Sequence, residues 1–168
     1  LPQIVQRLQT TVEKLSAPRL ATGGDVAIAE WWNALQSRYQ GRDIQFLNTV
    51  PARLQATVND ALFSGAMENL LQNALAKRGV ELGIPITATV FEVDGRAGLR
   101  VEDGGSAILP DIASDIGRRP ISSEQGLGIG LLQLARSAEM AGYRLVLEIN
   151  RPGSVVFCLM PVFLSEGE

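Results

Sequence analysis

The chain has 168 residues, enough for one well-packed domain and too few for two, with 46% hydrophobic and 20% charged residues and a formal net charge of −3. That balance excludes a disordered tail and a bulk nucleic-acid binder. The absence of histidine removes histidine-metal sites, Ser-His-Asp triads and Cys-His pairs, so any catalysis must use other groups or a bound cofactor. Cys158 stands alone inside VVFCLMPV, which rules out an intrachain disulfide and predicts a buried strand thiol in a reducing, cytoplasmic setting. No apolar run approaches the roughly 20 residues needed to span a bilayer, and a chain opening on Leu1 is expected to be a piece of a longer protein.

Residues 1–15 place Leu1, Ile4, Leu8, Thr11 and Leu15 on a 3-4 spacing, the seam of a short coiled coil or equally of a packed helix end. SAPRLATGG, residues 16–24, has linker composition, and Asp25 is expected to cap a helix carrying Ile28, Trp32, Leu35 and Tyr39 on one face. Ile44–Leu47 reads as a short strand ended by Pro51. The strongest helix runs from Asp60 to Lys77, its apolar face formed by Leu62, Ala66, Met67, Leu70, Ala74 and Leu75.

Pro85–Val93 and Gly98–Glu102 follow as strands joined through Asp94-Gly95, a tight-hairpin signal. A turn-rich stretch then reaches Gln125, a helix continues to about Ala141, and Tyr143–Ile149 and Ser154–Met160 form a closing hairpin. Antiparallel neighbours with helices gathered between them predict a two-layer α/β sandwich of the α+β kind: a mixed, mostly antiparallel sheet covered on one face by about three helices.

Three local patterns bear on chemistry. In EQGLGIGLLQLA, Gly126, Gly128 and Gly130 open a helix. Alternate glycines let backbone N–H groups approach an anion, and the helix N-terminus adds roughly half a positive charge; the same glycines would also suit a tight turn or close helix packing. In MENLLQNALAKRG, Asn69 and Asn73 stand one turn apart. Their amides share a face and present oxygens suited to a hard divalent cation, or are simply solvated. In VEDGGSAILPD, Asp103 ends a strand before Gly104-Gly105, where a fixed carboxylate can accept from an exocyclic amine, although DGG also suits a plain surface turn.

In this order and spacing the three patterns, followed by a closing hairpin with GSVVFCLMP, resemble the ATP-binding catalytic domain of sensor histidine kinases. That family shares its Bergerat-type fold with gyrase, Hsp90 and MutL. NLLQNAL is similar to its N box, DGGSAI to its first glycine box and GLGIGL to its second, over about residues 20–163.

The resemblance implies ATP and Mg²⁺ as ligands. Asn73 would bind the metal bridging the phosphates, with Asn69 supporting the same face. Asp103 would hold the adenine amine, with Gly105 and Ala107 beside the base, and Gly126, Leu127, Gly128 and Gly130 would line the triphosphate. Residues from about Leu109 to Gln125 would form a lid. Lys77, Arg78, Arg118 and Arg119 are the neighbouring cations, and Lys77 is assigned with Asn69 and Asn73 to the catalytic set. Related ATPases and serine kinases carry a glutamate four residues before the metal-binding Asn. Here Glu68 is five residues before Asn73 and turned off that face, which favours phosphoryl transfer to histidine over hydrolysis.

The acceptor histidine would then lie on a dimerisation domain of the full-length protein, with residues 1–20 the end of its helix plus a linker and 21–168 the catalytic domain. A response regulator receiver domain would be the downstream partner, homodimers would form only in full length, no nucleic acid would bind, and the full-length protein could be membrane-anchored. Three features depart from the family pattern: Ala107 in place of a glycine, expected to restrict positive φ and crowd the lid hinge; a short lid, with no phenylalanine between Phe91 and Phe157; and Lys77 one position late. They define a competing reading, a catalytically weakened or nucleotide-independent regulatory interaction domain of the same fold.

Overall fold

The computed structural model describes residues 24–119 and 127–164. The expected upstream helix and linker, residues 1–20, therefore lie outside the described residues, as does Gly126.

The chain opens with β1 (Asp25–Ala27) and α1 (Ile28–Arg38), followed by β2 (Gln45–Asn48), β3 (Thr57–Asn59) and α2 (Asp60–Val80). Next come the hairpin β4 (Ile86–Val93) and β5 (Arg96–Asp103), the short α3 (Pro110–Asp115), α4 (Leu127–Met140), and the hairpin β6 (Tyr143–Arg151) and β7 (Ser154–Pro161). The main sheet has the order β2-β4-β5-β7-β6; only β2 and β4 run parallel, so the sheet is mixed and mostly antiparallel, as expected.

Alternation along the strands sends one set of side chains under the helices. Ile86, Ala88 and Val90 of β4, Leu99 and Val101 of β5, and Val155, Phe157 and Leu159 of β7 meet Phe63, Met67, Leu70 and Leu71 of α2 and Leu131, Leu134 and Ala138 of α4 in one core. Each large side chain so buried contributes roughly 1.5–3 kcal/mol relative to exposure.

The two hairpins turn where their sequences predict. Asp94 and Gly95 both take positive φ, 47° and 84°, which matches the right-handed twist of the strands they join. In the closing hairpin Gly153 sits at φ 86° after Pro152.

One expectation fails at the N-terminal edge. Asp25 does not cap α1: it lies in β1, paired with Asn59, and α1 starts after Ala27, which offers no side-chain cap. The backbone there is satisfied instead by strand pairing of β1 with β3 and by the bond from Ile28 N–H to Ala56 O, 3.2 Å. The capping residue of this region is Asn59, whose Oδ1 accepts from Leu62 N–H at 2.9 Å at the start of α2.

Candidate functional site

The period-two alternation that buries Leu99 and Val101 carries Asp103 onto the same, helix-facing side of β5. Asp103 is the one charged residue among the buried described residues, 6% exposed. Its Oδ1 accepts from Lys77 Nζ at 2.8 Å and from Gly105 N–H at 3.0 Å. Those bonds compensate the burial of the charge, and no described residue donates to Oδ2.

The loop after Asp103 is fastened by four partners, Pro85, Gly153, Glu81 and Asn150. Gly104 N–H donates to Pro85 O (3.0 Å) and Gly153 N–H to Gly105 O (2.8 Å). Ser106 places both its N–H and its hydroxyl on the Glu81 carboxylate at 2.8 Å, which holds that carboxyl below its ordinary range, the hydroxyl bond being the larger cause. Asn150 clasps the Ile108 peptide with two bonds, at 2.7 and 2.9 Å.

The glycines here serve close approach. A Cβ on Gly104 would lie 2.6 Å from the Pro85 ring, and one on Gly105 would lie 2.8 Å from Lys77 Cε. Ala107 is a different case: Asp43 and Asp94 are the positive-φ non-glycine residues among those described, so Ala107 sits in ordinary backbone and its methyl imposes no strain. The positive φ that a glycine would have served at this position is absent.

On α2, Asn69, Asn73 and Lys77 recur every four residues and form one stripe. At one end Lys77 reaches Asp103. Asn73, half-buried in the middle, receives no hydrogen bond from any described residue. At the other end Asn69 donates through Nδ2 to Gly65 O at 3.1 Å, and its Oδ1 lies where a Cβ on Gly130 would stand. Gly130 belongs to the first turn of α4, which Leu127 and Gly128 open. The stripe thus connects the buried carboxylate to the glycine-rich helix start across roughly 12 Å of helix, eight residues at about 1.5 Å each.

The other expected cations are placed differently. Arg78 donates to the carbonyls of Ile84, Arg42 and Asp43 at 3.1, 2.7 and 2.8 Å, a backbone clamp that ties α2 to the segment before β2. Arg118 and Arg119 are exposed and follow α3 in the segment expected to form a lid, their N–H groups bonded to Asp115 O. Gly117, at φ 74°, brings this segment within contact of Ala135 on α4. Residues 120–125 of the expected lid lie outside the described residues. Glu68 is exposed and accepts from Gln72 Nε2, off the Asn69–Asn73 face.

This architecture matches solved structures over most of the chain. The mycobacterial sensor histidine kinase MprB superimposes with a TM-score of 0.61 at 23% identity, over 83% of this chain and 97% of that one. The catalytic domain of histidine kinase ThkA gives 0.65 at 21%, over 82% and 94%.

The fold is that of histidine kinase catalytic domains.

Among curated proteins, Sensor protein LytS of Bacillus subtilis is 25% identical over 138 residues, 79% of this chain and 23% of its own length. The C4-dicarboxylate transport sensor protein DctB of Rhizobium meliloti is 37% identical over 100 residues, 58% of this chain and 16% of its own. The chain therefore spans less than a quarter of the curated relatives it matches. No protein-family model matches it. Full-length ShkA in complex with AMPPNP (TM-score 0.63, 17% identity, 90% of this chain and 34% of that one) and histidine kinase ThkA in complex with response regulator protein TrrA (0.67, 18%, 96% and 49%) match the same fold. No helix among the described residues is long and apolar enough to cross a membrane.

Proposed function

We propose that the chain is the ATP-binding, phosphoryl-donating domain of a sensor histidine kinase, acting on a histidine carried outside these residues. The observation that carries the reading is the Asn69–Asn73–Lys77 stripe, with an ion-paired, half-open carboxylate at one end and a helix-opening glycine at the other. A nucleoside triphosphate has this layout of chemistry: an amine-bearing base at one end, anionic oxygens needing a metal along the middle and backbone donors at the other.

Asp103 Oδ2 would accept from the adenine amine, Asn73 would ligate Mg²⁺, and the α4 start, including Gly128 and Gly130, would face the triphosphate. Bound Mg²⁺ supplies charge neutralisation between phosphate oxygens. The chain's own residues orient the nucleotide so that an imidazole nitrogen attacks the γ-phosphorus in line while the bond to the β,γ-bridging oxygen breaks and ADP departs. Of the four cations neighbouring the three patterns, Lys77 sits at the base end and Arg78 clamps backbone carbonyls, which leaves Arg118 and Arg119 as candidates to meet developing phosphate charge. Glu68, turned off the Asn73 face and bonded to Gln72, offers no activation of water there, which supports transfer to histidine over hydrolysis.

By the same reading the partners are a histidine-bearing dimerisation domain of the full-length protein and a response regulator receiver domain, the latter supported by the ThkA–TrrA complex. The direct test is a thermal melt with millimolar Mg²⁺-ATP. The wild-type melting temperature rises, and Asn73→Asp or Asp103→Ala abolishes the rise. An unchanged wild-type melt refutes the proposal.

A further inference from the structure

Lys77 is placed by sequence among the catalytic cations, yet the fold sets it against the buried carboxylate at the far end of the stripe from Gly130. We infer that Lys77 is a base-side positioning residue: by pinning Asp103 through Oδ1 it leaves Oδ2 as a fixed acceptor that selects nucleotides bearing an exocyclic amine. The inference rests on the nucleotide-binding reading above.

Three observations support it. Lys77 and the Gly105 N–H converge on one oxygen, at 2.8 and 3.0 Å, so the carboxylate is held at a set angle while its second oxygen stays open. The lysine stem lies against Gly105, where a Cβ would stand 2.8 Å from Cε, and Ile84 Cδ1 is 3.1 Å from the same point. The ammonium is therefore lodged between α2 and the loop after β5. Finally, the side chains of both partners are largely buried, 16% and 8% exposed, so the pair is weakly screened and a carboxylate without it would carry an uncompensated charge.

A carboxylate is an acceptor only. It bonds the 6-amino group of adenine and opposes the 6-oxo group of hypoxanthine, so Lys77 contributes to base selection without touching the base.

The test is calorimetric titration of Mg²⁺-ATP, Mg²⁺-ADP and Mg²⁺-ITP into wild-type, Lys77→Met, Lys77→Arg, Asp103→Asn and Lys77→Met/Asp103→Asn proteins, with melts confirming that each is folded. Wild type prefers ATP to ITP. Lys77→Met weakens ATP and ADP by the same factor, about tenfold, as expected for losing the support of one charge-assisted bond, and narrows the ATP/ITP ratio. Lys77→Arg restores most of that ratio. In the Asp103→Asn background Lys77→Met causes no further narrowing, a readout that survives if the single lysine variant folds poorly.

A loss larger for ATP than for ADP would make Lys77 a phosphate ligand and overturn the inference. A gain in ATP affinity in Lys77→Met would make the ion pair a plug and overturn it as well. Wild-type protein that binds no nucleotide would refute the underlying reading itself, which the wild-type titration alone reveals.

Discussion

Asn69 Oδ1 rests against the bare Cα of Gly130, in the space a Cβ would need. The contact joins α2 to α4 and makes this glycine a packing residue, in addition to the phosphate-facing role proposed for it. Gly130→Ala is expected to expel the Asn69 amide, breaking its bond to Gly65 O, at a cost of about 1 kcal/mol in stability. Nucleotide affinity should fall further than stability does. Urea melts and ATP titrations of Gly130→Ala, Asn69→Ala and the double variant check this: the two changes should be markedly non-additive, since removing Asn69 removes the clash.

Trp31 Nε1–H donates to Ser64 Oγ at 2.9 Å, and Ser64 donates in turn to Asp60 Oδ1 at 2.8 Å. The indole is 5% exposed and meets Phe63 edge-on at 5.5 Å. Ser64→Ala orphans the indole N–H and should cost about 1–3 kcal/mol. Trp31→Phe/Ser64→Ala, which removes both polar partners, should recover part of that loss. Chemical denaturation followed by tryptophan fluorescence, with Trp32 as the remaining reporter, measures both.

Cys158 is buried on β7, and its Sγ donates to Glu148 Oε2 at 2.8 Å. Burial, then the bond to the Glu148 carboxylate, pushes its thiol pKa from 9.0 up to about 12. The thiol form is thus favoured by folding, so its contribution is complete below pH 9 and is lost as pH rises from 9 through about 12. Tyr39 and Tyr143, both raised chiefly by burial, act in the same direction. Native protein at pH 8 should resist thiol labelling until it unfolds. Cys158→Ser should show a shallower alkaline loss of stability while keeping the tyrosine part.

Among the fastenings of the loop between Asp103 and Ile108, the one through Glu81 titrates and the others do not. Glu81, held low by Ser106, keeps its bonds above the ordinary carboxylate range and loses them as pH falls through its lowered value. The Asn150 clasp on Ile108 does not titrate. Hydrogen exchange on acidification should therefore release the Ser106 amide before the Ile108 amide. Asn150→Ala should cost about 1–3 kcal/mol and weaken nucleotide binding without changing base preference.

Much of this was legible in the residues. The four-residue recurrence of Asn69 and Asn73, the Asp94-Gly95 turn and the place of Asp103 at the end of a strand are local patterns, and local geometry decides them. Asp25 was misread because capping chemistry and a short strand compete for the same residue; pairing with Asn59, distant in sequence, settled the matter. The two-strand β1–β3 sheet was invisible for the same reason. Lys77 and Arg78 look interchangeable in sequence, yet one reaches a carboxylate and the other three carbonyls.

By itself, the sequence determined the three longer helices, the two hairpins and the shared face of Asn69 and Asn73 on α2, because these follow from periods of 3.6 and 2 along a single segment; the short α3 and the helix-facing side of β5 emerged only in the fold. Only the tertiary structure decided what the ends of the α2 stripe touch. Lys77 meets Asp103 and Asn69 meets Gly130 because the packing of α2 against β5 and α4 sets those distances, and no spacing within one segment carries the separation between two.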